Sequence, residues 1–252
     1  MKPLVSRLQP VKGFSHAFHI GLVGLLPILL FILVQINYLG LQLAVALVLL
    51  SKWRIFAMRP RFWPAILRAN GVDIIVGLSI VAFMQLAVGM IVLQLLWAIL
   101  YAAWLLYIKP GSSIFMVSTQ AFIAQISGLM ALYLVWANGP LYGLVFVTAL
   151  ICYISARHFF DSFDEPYSRM LAFLWAYFAA GLVWVLGHWL LFYGLIAQPV
   201  IVLTTIGYGL ALLYYFDHHE KLTGALKRQV TGAMAIITIT LIVFSDWGDK
   251  IF

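Results

Sequence analysis

Nine stretches of dense apolarity, joined by short polar connections, decide what this chain can fold into. They run from about Phe18 to Ile36, Leu39 to Trp53, Val72 to Val88, Met90 to Ile108, Ile114 to Trp136, Leu141 to Ala156, Met170 to Phe192, Pro199 to Phe216 and Val230 to Phe244. Most approach the roughly 20 residues needed to cross the hydrocarbon core of a bilayer. No water is present there to bond backbone N–H and C=O groups, so a crossing segment satisfies them within itself or within a closed barrel. These segments lack strict alternation of apolar and polar residues, which favours helices over barrel strands. Of 252 residues, 65% are apolar and 9% charged, against roughly 25% charged in an ordinary soluble domain. Lipid is therefore the expected solvent for most of the surface. The expectation is an all-α polytopic transmembrane bundle of about nine spans, forming a single integral membrane domain over residues 1–252.

The basic start, MKPLVSRLQPVKG, resembles the head of a signal peptide, but the apolar run behind it is too long and has no small-residue cleavage site. It reads as a retained first helix. Basic residues then fall on alternate joints. Lys2, Arg7 and Lys12 precede the first segment; Lys52, Arg54, Arg59, Arg61 and Arg68 follow the second; Lys109 follows the fourth. Arg157 and Arg169 bracket the sixth joint, and Lys221, Lys227 and Arg228 the eighth. Joints near Asn37, Gly89, Asn138 and Gly194 carry none, so fourteen of fifteen basic residues share one side, with Lys250 opposite. The positive-inside rule makes that side cytoplasmic, placing the N-terminus inside and the C-terminus outside. Leu39 to Trp53 is short for a crossing, and the first two segments alternatively form a re-entrant hairpin. The topology is the same either way. Four hairpins and an extra helix also raise a weak repeat relating residues 1–108 to 109–216, supported only by similar joints at Ser51 to Phe62 and Ser155 to Pro166.

Uncharged polarity concentrates in the fifth segment, with Ser118, Thr119, Gln120, Gln125 and Ser127. At 100° per residue Ser118 and Gln125 share one stripe, and Gln120 and Ser127 its neighbour. Such a face lines a polar cavity or bonds between packed helices. His188, in VWVLGHWLL, joins Ser118, Gln120, Gln125 and Ser127 as a cavity candidate, because an ionisable group in a membrane segment is a functional suspect. Its interfacial place beside Trp184 and Trp189 also suits a simple bond to a carbonyl or headgroup. Asn70 with Asp73, and Ser162 with Glu165 ahead of Pro166, read as helix-start caps. Thr231, Thr238 and Ser245, and Gly207 and Gly209 with Thr204 and Thr205, read as close-packing positions.

Lys52 to Pro60 fits K-x6-R-P, one of three motifs of lipid-phosphate phosphatases, but P-S-G-H and S-R-x5-H-x3-D are missing. No mid-helix lysine marks a retinal site, no G-x-S-G a rhomboid-type serine, and no paired intramembrane histidines a haem. His158, Asp161, Asp164 and Glu165 near one joint, and Asp217, His218, His219 and Glu220 at the next, have ligand chemistry for a divalent ion. The second group is contiguous and its side chains fan around a helix, so salt bridges are the preferred reading. A lone Cys152 supports neither a disulfide framework nor a multi-cysteine metal site. No catalytic residue, metal ligand or cofactor is assigned, and no nucleic-acid partner is expected. Lys52, Arg54, Arg59, Arg61 and Arg68 are expected to meet anionic lipid headgroups, and partnership with other membrane proteins is open.

YYFDHHEKLTGALKRQ and VFSDWGDKIF near the end, with SKWRIFAMRPRFW and LRANGVDIIVGLS earlier, resemble small polytopic proteins of the Saccharibacteria type. That resemblance implies a multi-pass bacterial inner-membrane protein and transfers no catalytic residue. The leading functional expectation is a non-enzymatic, small transporter-like or membrane-assembly protein. Its alternative is a lipid-phosphate enzyme with a site at the cytoplasmic face.

Overall fold

A computed structural model describes residues 14–36, 40–52, 59, 61, 63–245 and 247. Among these, nine helices follow one another: α1 (Phe14–Gln35), α2 (Gly40–Leu50), α3 (Trp63–Leu86), α4 (Ile91–Ala103), α5 (Ile114–Trp136), α6 (Leu141–Asp161), α7 (Ser168–Leu186), α8 (Gln198–His218) and α9 (Gly224–Val243). A π-helical turn, Trp104–Ile108, continues α4, and two short strands, β1 (Phe192–Tyr193) and β2 (Ile196–Ala197), pair between α7 and α8. Seven helices are long and apolar enough to cross a membrane; Gly24–Gln35 and Gly40–Leu50 are shorter apolar stretches. Large apolar side chains such as Val92, Ile99, Phe146, Tyr177 and Phe244 are exposed on the helices and helix ends. Water does not tolerate so continuous an apolar surface. The chain is an all-α, multi-pass membrane protein by length and composition.

Local chemistry sets several helix ends. Ser113 accepts the Met116 amide at the start of α5, and Thr223 accepts the Leu226 amide at the start of α9, each satisfying one of the free N–H groups of a first turn. Pro199 occupies the first turn of α8, where its missing N–H costs nothing. α6 and α8 both close with a non-glycine residue in the left-handed region, Asp164 (φ 52°) and Glu220 (φ 55°). Two expected boundaries are corrected. α3 starts at Trp63, not Val72, so Asn70 and Asp73 lie inside the helix and cannot cap its start. α7 stops at Leu186 rather than Phe192, and the chain then turns through Gly194 (φ 63°) in the two-residue loop of the β1–β2 hairpin.

Contacts group the chain into two compact units, Met1–Trp53 with Ile80–Ser112, and Arg54–Ser79 with Ser113–Phe252. In the first, α1 packs on α2 and α4. Gly40 admits this approach: a Cβ there would lie 2.0 Å from the Leu33 carbonyl oxygen. Gln94, fully buried, donates to the Met84 carbonyl at 3.0 Å and accepts from Gln35.

In the second unit, lipid offers no hydrophobic drive between helices, so close packing of small residues and interhelical hydrogen bonds do the work. Ala172, Ala176, Ala179 and Val183 make a buried stripe on α7, and Thr148, Ile151, Cys152 and Ser155 one on α6. The core over Leu129, Leu144, Ile151, Ala179, Val183 and Leu203 joins α5 through α8. The Tyr133 and Thr148 hydroxyls meet inside it at 3.1 Å. Gly128 lets Ile75 of α3 approach α5, since a Cβ would stand 2.6 Å from its side chain. α9 contributes no buried residue to its own length and leans on α8, where Gly209 accommodates Met234. Thr231 is exposed, so the expected close packing of the Thr231, Thr238, Ser245 series does not extend to it. Ser245 instead anchors the end of α9, meeting the Tyr193 hydroxyl at 2.6 Å and accepting from Gln198 at 2.8 Å.

Candidate functional site

The second unit holds a cavity of about 1030 Å³ between the N-terminal halves of α5 and α7 and the C-terminal halves of α6 and α8. Ten of its twenty-three lining residues are aromatic and none carries a charge, which makes it a site for an apolar body rather than for an ion in water. Phe122, Leu174, Phe178 and Tyr208 line it while remaining exposed at the outer surface of the helices, so the cavity opens sideways as well as toward the helix ends.

Polar groups are few and individually placed. Gln125 stands at the back wall: its Oε1 accepts from the Trp175 indole at 3.1 Å and its Nε2 donates to the Leu203 carbonyl at 3.4 Å. A Cβ on Gly207 would come within 2.8 Å of Trp175 and 2.9 Å of the Gln125 amide nitrogen. The glycine thus keeps this pair in place and the wall open. Ser155 lines the cavity from α6, is 2% exposed, and its Oγ has no hydrogen-bond partner. A buried hydroxyl left unpaired costs about 1–3 kcal/mol; its oxygen is covered in the empty cavity, so a bound molecule reaches it only after the side chain turns. Ser118 and Thr119 also line the cavity, but their hydroxyls are returned to the Ile114 and Phe115 carbonyls one turn back.

At the helix-end mouth, Phe159, Phe160, Phe163, Tyr214 and Tyr215 pack edge to face with one another and with His218. The Tyr214 hydroxyl donates to Glu165, whose other oxygen accepts the Tyr167 amide at 3.2 Å. These bonds, the tyrosine's first, hold the Glu165 carboxyl below the usual carboxylate range, with a further contribution from His218. Glu165 thus serves the Tyr167 amide just ahead of α7 and ties α8 to it, but the expected Ser162–Glu165 cap is corrected: α7 starts at Ser168 without a side-chain cap, and the Ser162 hydroxyl donates to the Phe159 carbonyl at 2.7 Å. Arg157 pairs with Asp161 at 3.2 Å and donates to Ser168.

The structure brings together only part of the expected polar set. Gln125 and Ser118 line the cavity. Gln120 is buried and meets His158 Nε2 at 2.9 Å, outside the lining. Ser127 is turned back on the Ile123 carbonyl at 2.6 Å. His188 sits past the opposite end of α7, its Nδ1 2.7 Å from the Trp184 carbonyl and its ring against Trp184 and Trp189, an interfacial arrangement. Trp175 and Ser155 carry no signal as site residues in the sequence, where Gly207 reads only as a close-packing position and Glu165 as a cap rather than as the partner of Tyr214. In the other unit Gln94 went unnoticed, although a lone glutamine in IVLQLLWAIL was a signal of the same kind as Gln125. Among the described residues, no three His, Cys, Asp or Glu side chains converge as a metal site. In the basic segment Lys52 is buried, Arg59 and Arg61 are exposed, and Arg54 and the Arg68 side chain lie outside the described residues.

Fold and cavity together define the class: a multi-pass helical membrane protein with an aromatic-lined chamber in one half of its larger unit. Neither a protein-family model, nor a curated protein, nor a solved structure matches the chain.

Proposed function

We propose that this protein is a non-enzymatic, transporter-like membrane component that takes an apolar or amphiphilic small molecule from the bilayer into the α5–α8 cavity. The observation that carries this reading is the cavity itself: its size is at the upper end of the range for small-molecule sites, and its single orphaned hydroxyl, on Ser155, supplies a polar contact for an incoming group. The chain is read as nine membrane segments, the first two forming a hairpin whose second arm, at 11 residues, covers about half the bilayer core. Charge asymmetry orients it with the N-terminus and the cavity mouth at the cytoplasmic face and the C-terminus outside. A bacterial inner membrane is its proposed location, following the resemblance to Saccharibacteria-type proteins. The lipid-phosphate enzyme remains the lesser reading, since in its metal-dependent form it requires three or more convergent carboxylates and imidazoles, a grouping not found among the described residues.

Binding to nanodisc-held protein tests the proposal. A neutral fluorescent arene, measured against empty nanodiscs, should bind the parent saturably, and Gly207→Leu should abolish that binding by driving a side chain into Trp175 and Gln125. Ser155→Ala, which removes only the hydroxyl, serves where the leucine variant fails to elute as a folded species; it should weaken a hydroxyl- or carbonyl-bearing arene more than a plain one. Binding indistinguishable between empty discs and parent overturns the proposal.

A further inference from the structure

We infer that the cavity selects lipophilic organic cations, a deepening that rests on the small-molecule reading above. The first ground is the wall. Aromatic faces carry the negative lobe of the ring quadrupole, and a cation placed against several of them is attracted wherever water is excluded. Phe122, Trp175, Phe178 and Tyr208 are among the rings that line it, and Lys, Arg and His are absent from the lining. An anion would find neither a base nor a free N–H cluster there, because the Trp175 indole is spent on Gln125.

The second ground is the mouth. Five of the chain's eight acidic residues, Asp161, Asp164, Glu165, Asp217 and Glu220, stand at the ends of α6 and α8. In residues 157–169 and 217–221 they face three bases, Arg157, Arg169 and Lys221, giving 3 − 5 = −2 in a chain of +7 with histidines neutral. Arg157 is engaged by Asp161 and Ser168, and Arg169 lies over Phe173, which is not part of the lining. Other bases of the same unit, Arg59 and Arg61 ahead of α3 and Lys227 and Arg228 on α9, do not line the cavity. Glu165 reaches the wall through the Tyr214 hydroxyl, so a carboxylate polarises a lining ring. Ser155 Oγ, buried and without a partner, adds a contact for a polar substituent without choosing the sign of the charge, because a hydroxyl both donates and accepts. A compact ammonium would forfeit too much hydration on entry, which points to cations whose charge is delocalised or shielded by aryl or alkyl groups.

The sign of the charge is separable from apolar partitioning by a matched pair. Tetraphenylphosphonium and tetraphenylborate share size and shape and differ in charge. Both are titrated into the full chain in nanodiscs of neutral lipid, with empty discs subtracted and triphenylmethane as the neutral control. The phosphonium should bind about tenfold tighter than the borate, as expected for cation–π contact at desolvated rings. Glu165→Gln should reduce that ratio at least about threefold, and Phe122→Leu, a conservative change at the open side, should weaken the phosphonium more than triphenylmethane. Equal or tighter binding of the borate, or a ratio unchanged in Glu165→Gln and Phe122→Leu alike, overturns the inference. If triphenylmethane binds while the two ions do not differ, the cation assignment falls and the small-molecule reading stands. If none of the three binds above empty discs, both fall.

Discussion

Glu165 joins three pieces of chain through one carboxylate: its own joint, the Tyr167 amide beside the start of α7, and the Tyr214 hydroxyl on α8. Its carboxyl is held below the ordinary range by those bonds. A group whose folded-state value is depressed contributes stability that is present above the unfolded value and lost as pH falls through the folded one. The stability difference between the parent and Glu165→Gln should therefore be constant near neutrality and shrink below about pH 4.3, the ordinary glutamate value. Thermal unfolding in detergent across that interval measures it, and a difference that grows with acidity contradicts the assignment. Ser155 gives a residue-scale prediction of opposite sense. Removing an unpaired buried hydroxyl relieves its desolvation, so Ser155→Ala should stabilise the empty protein by about 1 kcal/mol. The same change should reduce the thermal shift produced by a hydroxyl- or carbonyl-bearing arene more than that produced by a plain one, a difference that a purely structural role would not make.

Between elements, the decisive fact is how close α6 and α7 come. Alanines at 172, 176 and 179 remove the side-chain volume that would hold the two backbones apart, and they are buried where they do so. Ala179→Leu inserts three heavy atoms into a filled contact and should cost about 1–3 kcal/mol. Ala235→Leu on α9, at an exposed position, should change stability by less than about 0.5 kcal/mol. Unfolding midpoints of the two variants compared side by side decide whether burial, rather than helix propensity, governs the outcome; an equal loss at both positions would count against the packing argument.

For the whole molecule, charge and solvent set the orientation. Fourteen basic residues against one on alternating joints predict, under the positive-inside rule, that the C-terminus lies outside. A reporter active only outside the cytoplasm, fused after Phe252, should be active; silence at normal expression reverses the orientation. The segment carrying Arg54, Arg59 and Arg61 should attract anionic headgroups at about 1 kcal/mol per residue near the surface. Neutralising all three should therefore reduce stabilisation by anionic over neutral vesicles more than Asp161→Asn with Asp164→Asn does. Asp161 already has a local partner in Arg157, and exposed pairs of that kind contribute about 0–1 kcal/mol. Equal anionic-lipid stabilisation of parent and triple variant would remove the anchoring role.

The amino-acid order alone determined the helical class and the approximate positions of the nine helices, seven of them long and apolar enough to cross a membrane, because backbone satisfaction in hydrocarbon leaves few options and apolar length is written locally. It also placed the polar stripe of α5, whose Gln120 and Gln125 are buried as an amide in a membrane segment should be. It misjudged Asn70 and Asp73, since a helix start depends on where the preceding turn stops and not on the capping residues alone. Only the tertiary structure decided which polar groups are consumed and which are left over. Ser118 and Ser127 look as available as Ser155 in the sequence, yet theirs are the hydroxyls bonded one turn back, while Ser155 Oγ is stranded in the wall of the cavity. Trp175, Gly207 and Gln125 are separated along the chain and meet through packing of α5, α7 and α8. Pairings at such sequence distance follow from helix contacts, and no local pattern of residues encodes them.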